Sequence, residues 1–251
     1  MKKIFMIVAL IAVSFTASAQ LIWEDRFDYS PGSDLEGQGG WALGTGNWTS
    51  GNSPKVVERT FKYGGYAGSE SGCVRISGTG INRLTYREID KDGITKGAVY
   101  VAMIINLESV DATRDFITLD SGSGNAPKVK VFVKRAGSGF CIGTAVSSPD
   151  EAVFSRGLAF KTPHLIVLKY LFEEPDKGAE VDFNDKVVLY VNPVPSLSES
   201  KQLAVRLQAS RSKKHSDIKQ IKAVNIRQNG ATGYICGMRV ARSWDAAVKK
   251  N

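Results

Sequence analysis

The sequence predicts an all-β protein: two antiparallel sheets packed face to face, followed by a short C-terminal helix. Three observations carry this. Roughly twelve to fourteen short runs rich in Val, Ile, Tyr, Phe and Thr alternate with Gly, Asp, Asn and Pro clusters, at the spacing of a sandwich. One run, Ala98–Leu107, is almost unbroken apolar and β-branched, as a strand buried on both faces should be. Helical candidates are confined to Asp150–Phe154 and the stretch after Ser243.

In chain order, Met1-Lys-Lys, an apolar run from Ile4 to Phe15 and Ala17-Ser-Ala19 form a charged segment, an apolar segment and an A-x-A cleavage site. The run is shorter than the roughly 20 residues a membrane span needs, so residues 1–19 read as a signal peptide. The processed chain is expected to start at Gln20, as one domain over 20–251, periplasmic or secreted. No cysteine follows the cleavage site, so a lipoprotein anchor is not expected. Leu21–Phe27 reads as the first strand. Tyr29–Asn52 is a Gly-, Ser- and Asp-rich excursion carrying Trp41 and Trp48. Lys55–Tyr63 is a strand candidate, and Gly64–Gly72 a second Gly-rich loop. Cys73–Ser77 and Arg83–Ile89 are short strands. Ala98–Leu107 is the core strand, and Phe116–Leu119 and Lys128–Lys134 follow it, the latter with clean alternation. Leu165–Phe172 and Lys186–Asn192 form a long hairpin with Pro175-Asp-Lys-Gly178 near its tip. Ile104 and Leu168 are expected in the core. Leu203–Ala209 and Ile218–Arg227 lead into the closing strand, Thr232–Ala241. There, period two places Tyr234, Cys236, Met238 and Val240 on one face and Ile235, Gly237 and Arg239 on the other. Ser243 is placed to cap a helix over Trp244–Lys250.

Three stretches carry a family resemblance: the closing strand with its Ser243-Trp244 sequel; Glu24-Asp-Arg-Phe-Asp-Tyr29 with Leu35-Glu-Gly-Gln-Gly-Gly-Trp41; and Val187-Val-Leu-Tyr-Val-Asn-Pro193. Together they resemble concanavalin A-like, laminin-G-like β-sandwich proteins of the type secreted by Bacteroidetes. The resemblance implies a jelly-roll sandwich of the lectin and glucanase type. That fold hosts lectins, hydrolases, lyases and scaffolds, so it selects no function by itself.

The formal charge is +8, with Arg206, Arg211, Lys213, Lys214, Lys219, Lys222 and Arg227 close in sequence. A solvated basic face accounts for such a run. Contact with an anionic glycan or membrane surface is the sharper reading. No nucleic-acid motif is present, and nucleic acid is not an expected partner. Cys73, Cys141 and Cys236 make an odd count; export permits one disulfide, but spacing cannot choose the pair.

The one catalytic-looking string is Glu180-Val-Asp-Phe-Asn-Asp185. Laminarinase-type glycosidases of the concanavalin A-like sandwich carry two catalytic glutamates flanking an aspartate on one strand. Carboxylates two apart on a strand share a face, and retaining hydrolysis needs two carboxyls about 5–5.5 Å apart. Glu180 and Asp182 fit, but Asn184 or Asp185 stands where the second glutamate belongs, and the string abuts a turn. No catalytic residue is therefore assigned. The two histidines, His164 and His215, make no zinc spacing, and no phosphate loop or nucleophile elbow occurs. In many relatives an aspartate on the closing strand holds calcium. Here Cys236 occupies that position, a poor ligand for a hard cation, so neither metal nor cofactor is expected. Aromatics in Gly-rich loops are the carbohydrate-binding candidates: Trp41, Trp48, Tyr63 and Tyr66. Trp41 also reads as a ring folded back onto the sandwich.

These readings converge on an exported, non-catalytic sandwich that binds carbohydrate or a cell-envelope component. A glycoside hydrolase or polysaccharide lyase of the same superfold is the alternative, and a structural envelope module the third.

Overall fold

The computed structural model describes residues 20–45, 49–78, 82–122, 128–146, 148–174, 184–209 and 217–250. Their strands are β1 (Leu21–Asp25), β2 (Trp41–Leu43), β3 (Thr49–Ser50), β4 (Lys55–Val57), β5 (Cys73–Ile76), β6 (Asn82–Glu88), β7 (Gly97–Val110), β8 (Arg114–Asp120), β9 (Val129–Ala136), β10 (Gly139–Ala145), β11 (Val153–Phe154), β12 (His164–Phe172), β13 (Lys186–Val191), β14 (Arg206–Gln208), β15 (Ala223–Gln228) and β16 (Ala231–Ala241), followed by helix α1 (Trp244–Val248). They form two antiparallel sheets. Sheet A runs β14-β13-β12-β7-β16-β5-β4, with β1 on the other half of β16. Sheet B runs β11-β10-β9-β8-β15-β6-β2, with β3 beside β2 on β6. The all-β two-sheet sandwich with a C-terminal helix is the architecture the sequence predicts.

The core lies between the sheets. Val99, Val101, Met103, Ile105 and Leu107 of β7 point inward, opposite Ile117, Leu119, Val131, Val224 and Ile226 of sheet B. The other face of β7, with Tyr100, Ala102 and Ile104, is buried too, under α1 and the loops around Tyr66 and Val205. This second layer is why Ala98–Leu107 reads apolar on both faces. Ile104 and Leu168 are both fully buried, and β12 pairs β13 as the expected hairpin.

The closing strand departs from strict alternation. Its pairing with β7 slips between Cys236 and Arg239, and Gly237 sits at φ +52°, the left-handed region open to glycine. The bulge turns Tyr234 and Cys236 to the outer layer and Met238 and Val240 to the core, where period two placed all four together. A Cβ on Gly237 would run into the Gly68 carbonyl. Directly opposite each other on β5 and β16, Cys73 and Cys236 form a disulfide, and Cys141 is buried and free. Ser243 caps α1, accepting a hydrogen bond from the Ala246 amide.

At the open edge of the sandwich the core turns polar. Asp25, 3 % exposed, accepts from Trp41 Nε1 at 2.7 Å, Arg87 at 2.8 Å, Tyr29 at 3.0 Å and the Phe27 amide at 2.7 Å. One turn away, Glu36 binds Arg83 and the Thr85 hydroxyl. The two stretches around Asp25 and Trp41 that carry the resemblance therefore meet at one buried carboxylate.

Candidate functional site

Two of the loop aromatics singled out from sequence are not available as binding rings. Trp41 is 2 % exposed, packed against Phe27 and Trp23 with its indole N–H on Asp25; the Gly39-Gly40 turn folds it inward, both residues having positive φ. Tyr66 is fully buried, and its hydroxyl donates to the Gly237 carbonyl at 2.6 Å. Tyr63 is half-buried on the outer layer of sheet A. Its hydroxyl donates to the Pro193 carbonyl at 3.1 Å, and burial pushes the phenol up to about 12. Trp48 lies outside the described residues, as do Glu180 and Asp182. Asp185 holds the start of β13, accepting from the Tyr170 hydroxyl and the Glu173 amide.

Surface clefts open on both sheets, and they differ in how far their charges are satisfied. In the cleft over Tyr190 and Arg206, Glu199 is saturated. It accepts from Lys169 at 2.7 Å, Tyr100 at 2.7 Å and Tyr190 at 2.5 Å, which ties its loop to sheet A. Burial alone would raise the Glu199 carboxyl, but the hydrogen bonds from Lys169, Tyr190 and Tyr100 outweigh it and hold the group below the usual carboxylate range. A carboxyl depressed in the folded state stabilises above its unfolded pKa, about 4.3 for Glu, and loses that contribution as pH falls through the folded value. Stability is expected to drop on acidification below about pH 4, and Glu199→Gln should flatten that limb. Superimposable pH–stability curves for variant and parent would remove Glu199 from this role. In the cleft beside Leu21 and Ala67, Arg239 is likewise paired with Glu24.

The outer face of sheet B is different. Because Val129, Val131 and Val133 of β9 face the core, Lys130, Phe132 and Lys134 face outward. On β15, Val224 and Ile226 face inward and Asn225 and Arg227 outward. On β8, pairing slips between Asp115 and Ile117. This bulge sends both Phe116 and Ile117 into the core and turns Asp115 outward. Asp115 thereby meets Arg227 at 2.6 Å, a pair with each side chain 8 % exposed. One row along, Asn225 donates to Thr118 Oγ1 and Asp120 Oδ2, both at 2.8 Å. Its own Oδ1 is buried without a hydrogen-bond donor. Thr118 pairs in register with both Asn225 and Lys130.

A cleft of about 390 Å³ opens here, walled by Phe132 and Pro149 and carrying Arg114, Asp115, Lys130 and Arg227. Burial lowers the Lys130 ammonium from its ordinary value; Asp115 opposes the shift and Arg227 adds to it. Burial also lowers Arg227, against the pull of Asp115. The arrangement offers fixed N–H donors, one carboxylate acceptor and an apolar wall. Part of it was visible in sequence, since the alternation of Lys128–Lys134 puts Lys130, Phe132 and Lys134 on one face. Asp115 was not, because only the bulge brings it outward.

Among the described residues no group of three His, Cys, Asp or Glu is placed to hold a metal ion, and no helix is long and apolar enough to cross a membrane.

No protein-family model matches the chain, and no curated protein matches it. Three solved structures of similar shape are remote in sequence. An alginate lyase, Aly36B, solved with an alginate tetrasaccharide, is 10% identical, over 93% of this chain and 97% of that one, with a TM-score of 0.49. The CBM2 module of the evolved Dit of Lactobacillus casei BL23 phage J-1 is 9% identical over 93% and 97%, with a TM-score of 0.48. Domain 4 of AbnA, a GH43 extracellular arabinanase from Geobacillus stearothermophilus, solved with arabinotriose, is 14% identical over 91% and 98%, with a TM-score of 0.47. At this distance neither ligand nor activity transfers from those proteins to this chain.

Proposed function

We propose that this chain is an exported, non-catalytic β-sandwich of the concanavalin A-like type that binds carbohydrate on the outer face of sheet B. One observation carries the site: the cleft over β8, β9 and β15 brings the hydrogen-bonding side chains of Arg114, Asp115, Lys130 and Asn229 together beside the exposed ring of Pro149. Sugars present hydroxyls to such donors and acceptors. The leader Met1–Ala19 supports export, with Gln20 as the first residue of the processed chain. The absence of chemistry is supported by the cleft's own carboxylate. Asp115 is held by Arg227, whereas hydrolysis needs two carboxyls facing each other across a sugar.

The protein spanning residues 20–251 should retain a glycan on an array. Lys130→Ala and Asn229→Ala, both on the cleft, should weaken that binding about tenfold, or 1.4 kcal/mol, with circular dichroism unchanged. An array on which nothing is retained would overturn the reading, and full binding by both variants would move the site elsewhere.

A second reading, a polysaccharide lyase on the same face, is favoured by the Lys130 amine. Burial eases its deprotonation, and Arg227 stands beside it, as a proton-abstracting base requires. Ultraviolet absorbance from an unsaturated sugar product, lost in Lys130→Ala, would promote this reading over the first.

A further inference from the structure

We propose that the ligand of the sheet B cleft is a polyanionic saccharide, a chain bearing carboxylate or sulfate groups. This rests on the carbohydrate reading above and narrows it to a chemical class. The charge count on the cleft is the starting point. Arg114, Lys130 and Arg227 line it with a single carboxylate, Asp115. Asp115 is engaged by Arg227 at 2.6 Å. Neither the Lys130 ammonium nor the Arg114 guanidinium has an ion-pair or side-chain hydrogen-bond partner among the described residues. Arg114 is exposed, as a free surface cation can be at little cost. Lys130 is not: it stands partly buried on the strand between β8 and β10, with Phe132 two residues along on the same face.

The outer face of a sheet imposes no need to bury a cation. The one carboxylate that acts on Lys130, Asp115, is already paired with Arg227, and a partly desolvated ammonium with so incomplete a counter-charge is relieved by an anion delivered at the same spot. Asn229, also on the cleft, can exchange hydrogen bonds with saccharide hydroxyls. The excess positive charge and this amide together fit a chain carrying both hydroxyls and negative charge. The cleft is lined from β8, β9 and β15, so such a ligand would lie against all three strands with its acidic groups set toward Lys130 and Arg114.

The test uses the 20–251 protein and four polymers: polygalacturonate, its carboxyl-reduced neutral counterpart, dextran sulfate and dextran. Affinity electrophoresis or calorimetry at low salt should show binding to at least one polyanion about tenfold or more above its neutral counterpart, weakening as salt rises. Which polyanion binds separates carboxylate from sulfate recognition. Lys130→Gln and Arg114→Gln should each lower that affinity about threefold to tenfold, and Lys130→Arg should restore it. Neither removes a partner from another residue, so both variants should fold. Lys201→Gln changes the net charge equally from an exposed position outside the cleft and should leave binding as it was.

Equal binding to charged and neutral polymers would keep the carbohydrate reading and overturn the anionic one. Polyanion binding lowered as much by Lys201→Gln as by Lys130→Gln would reduce it to bulk attraction by a basic protein and overturn the site. No binding to any of the four would overturn the anionic class, while retention of some other glycan on the array would leave the broader reading standing.

Discussion

Replacing Asp25 with alanine is expected to destabilise the protein by about 3–5 kcal/mol, the cost of breaking a buried ion pair from one side. The carboxylate is 3 % exposed and serves four donors: the Trp41 indole, the Arg87 guanidinium, the Tyr29 hydroxyl and the Phe27 amide. Alanine leaves all four without their acceptor and strands the Arg87 charge under the Trp23 ring, 4.2 Å from its centroid. The effect should appear in a urea titration as a lower midpoint, and in thermal unfolding as a melting temperature lower by about 10 °C or more. Asp25→Asn keeps the shape and part of the hydrogen bonding, so it should cost less. A loss below about half a kcal/mol for alanine, the usual range at surface sites, would show that the loop between β1 and β2 is not anchored through this residue.

Removing the Cys73–Cys236 disulfide, in a Cys73→Ala/Cys236→Ala variant, is expected to cost about 5 kcal/mol on the chain-entropy model. The reason is the span closed: the two residues are 163 apart in sequence, and the loop contains every strand from β6 to β15. In the denatured chain the bond holds the two ends of that loop together. Alkylation of the native protein without reductant should leave all three thiols unmodified, two being bonded and Cys141 buried. After denaturation without reductant, one thiol should react. Three reactive thiols at that step would mean the bond does not form, and a double variant as stable as its parent would mean it does not matter.

How much of this was readable in the sequence depends on whether the signal was local. Ala98–Leu107 and the hairpin of β12 and β13 were legible because burial writes itself into consecutive residues. Ser243 was legible as a cap because capping chemistry is settled within three positions. Strand β10 was legible only around Phe140-Cys-Ile142: Gly139-Phe-Cys-Ile-Gly-Thr-Ala145 has two glycines, and each accommodates a neighbour. Phe154 packs where a Cβ on Gly143 would stand, and the Leu158 carbonyl where one on Gly139 would. Asp150–Phe154, a helix candidate on composition, is a 3-10 turn at Pro149–Glu151 that runs into β11. The disulfide pair could not be chosen because register across β5 and β16 is set by the whole sheet. The sheet B cleft was not singled out: alternation puts Lys130 and Phe132 on one strand face, but Asp115 and Arg227 are neighbours only through a bulge and a strand pairing over a hundred residues apart. Trp41 folds inward onto Asp25, as its folded-back reading has it, and Tyr66 onto the Gly237 carbonyl, because a buried acceptor draws in the polar tip of a large loop ring.

The order of the strands has a kinetic consequence. β16, last in the chain, lies in sheet A between β7 and the β5 and β1 strands, and β15, the strand before it, lies in sheet B between β8 and β6. The middle of each sheet is thus supplied by residues 223–241. Until they arrive, β7, β8, β5 and β6 each present an unpaired edge, the kind of surface on which chains stick to one another. The pairings of β15 and β16 with β5, β6, β7, β8 and β1 all join distant parts of the sequence, so folding should be slow and close in one late step. A chain cut short before Ala223 should not be a smaller sandwich missing two strands; it should be four half-sheet edges in search of partners.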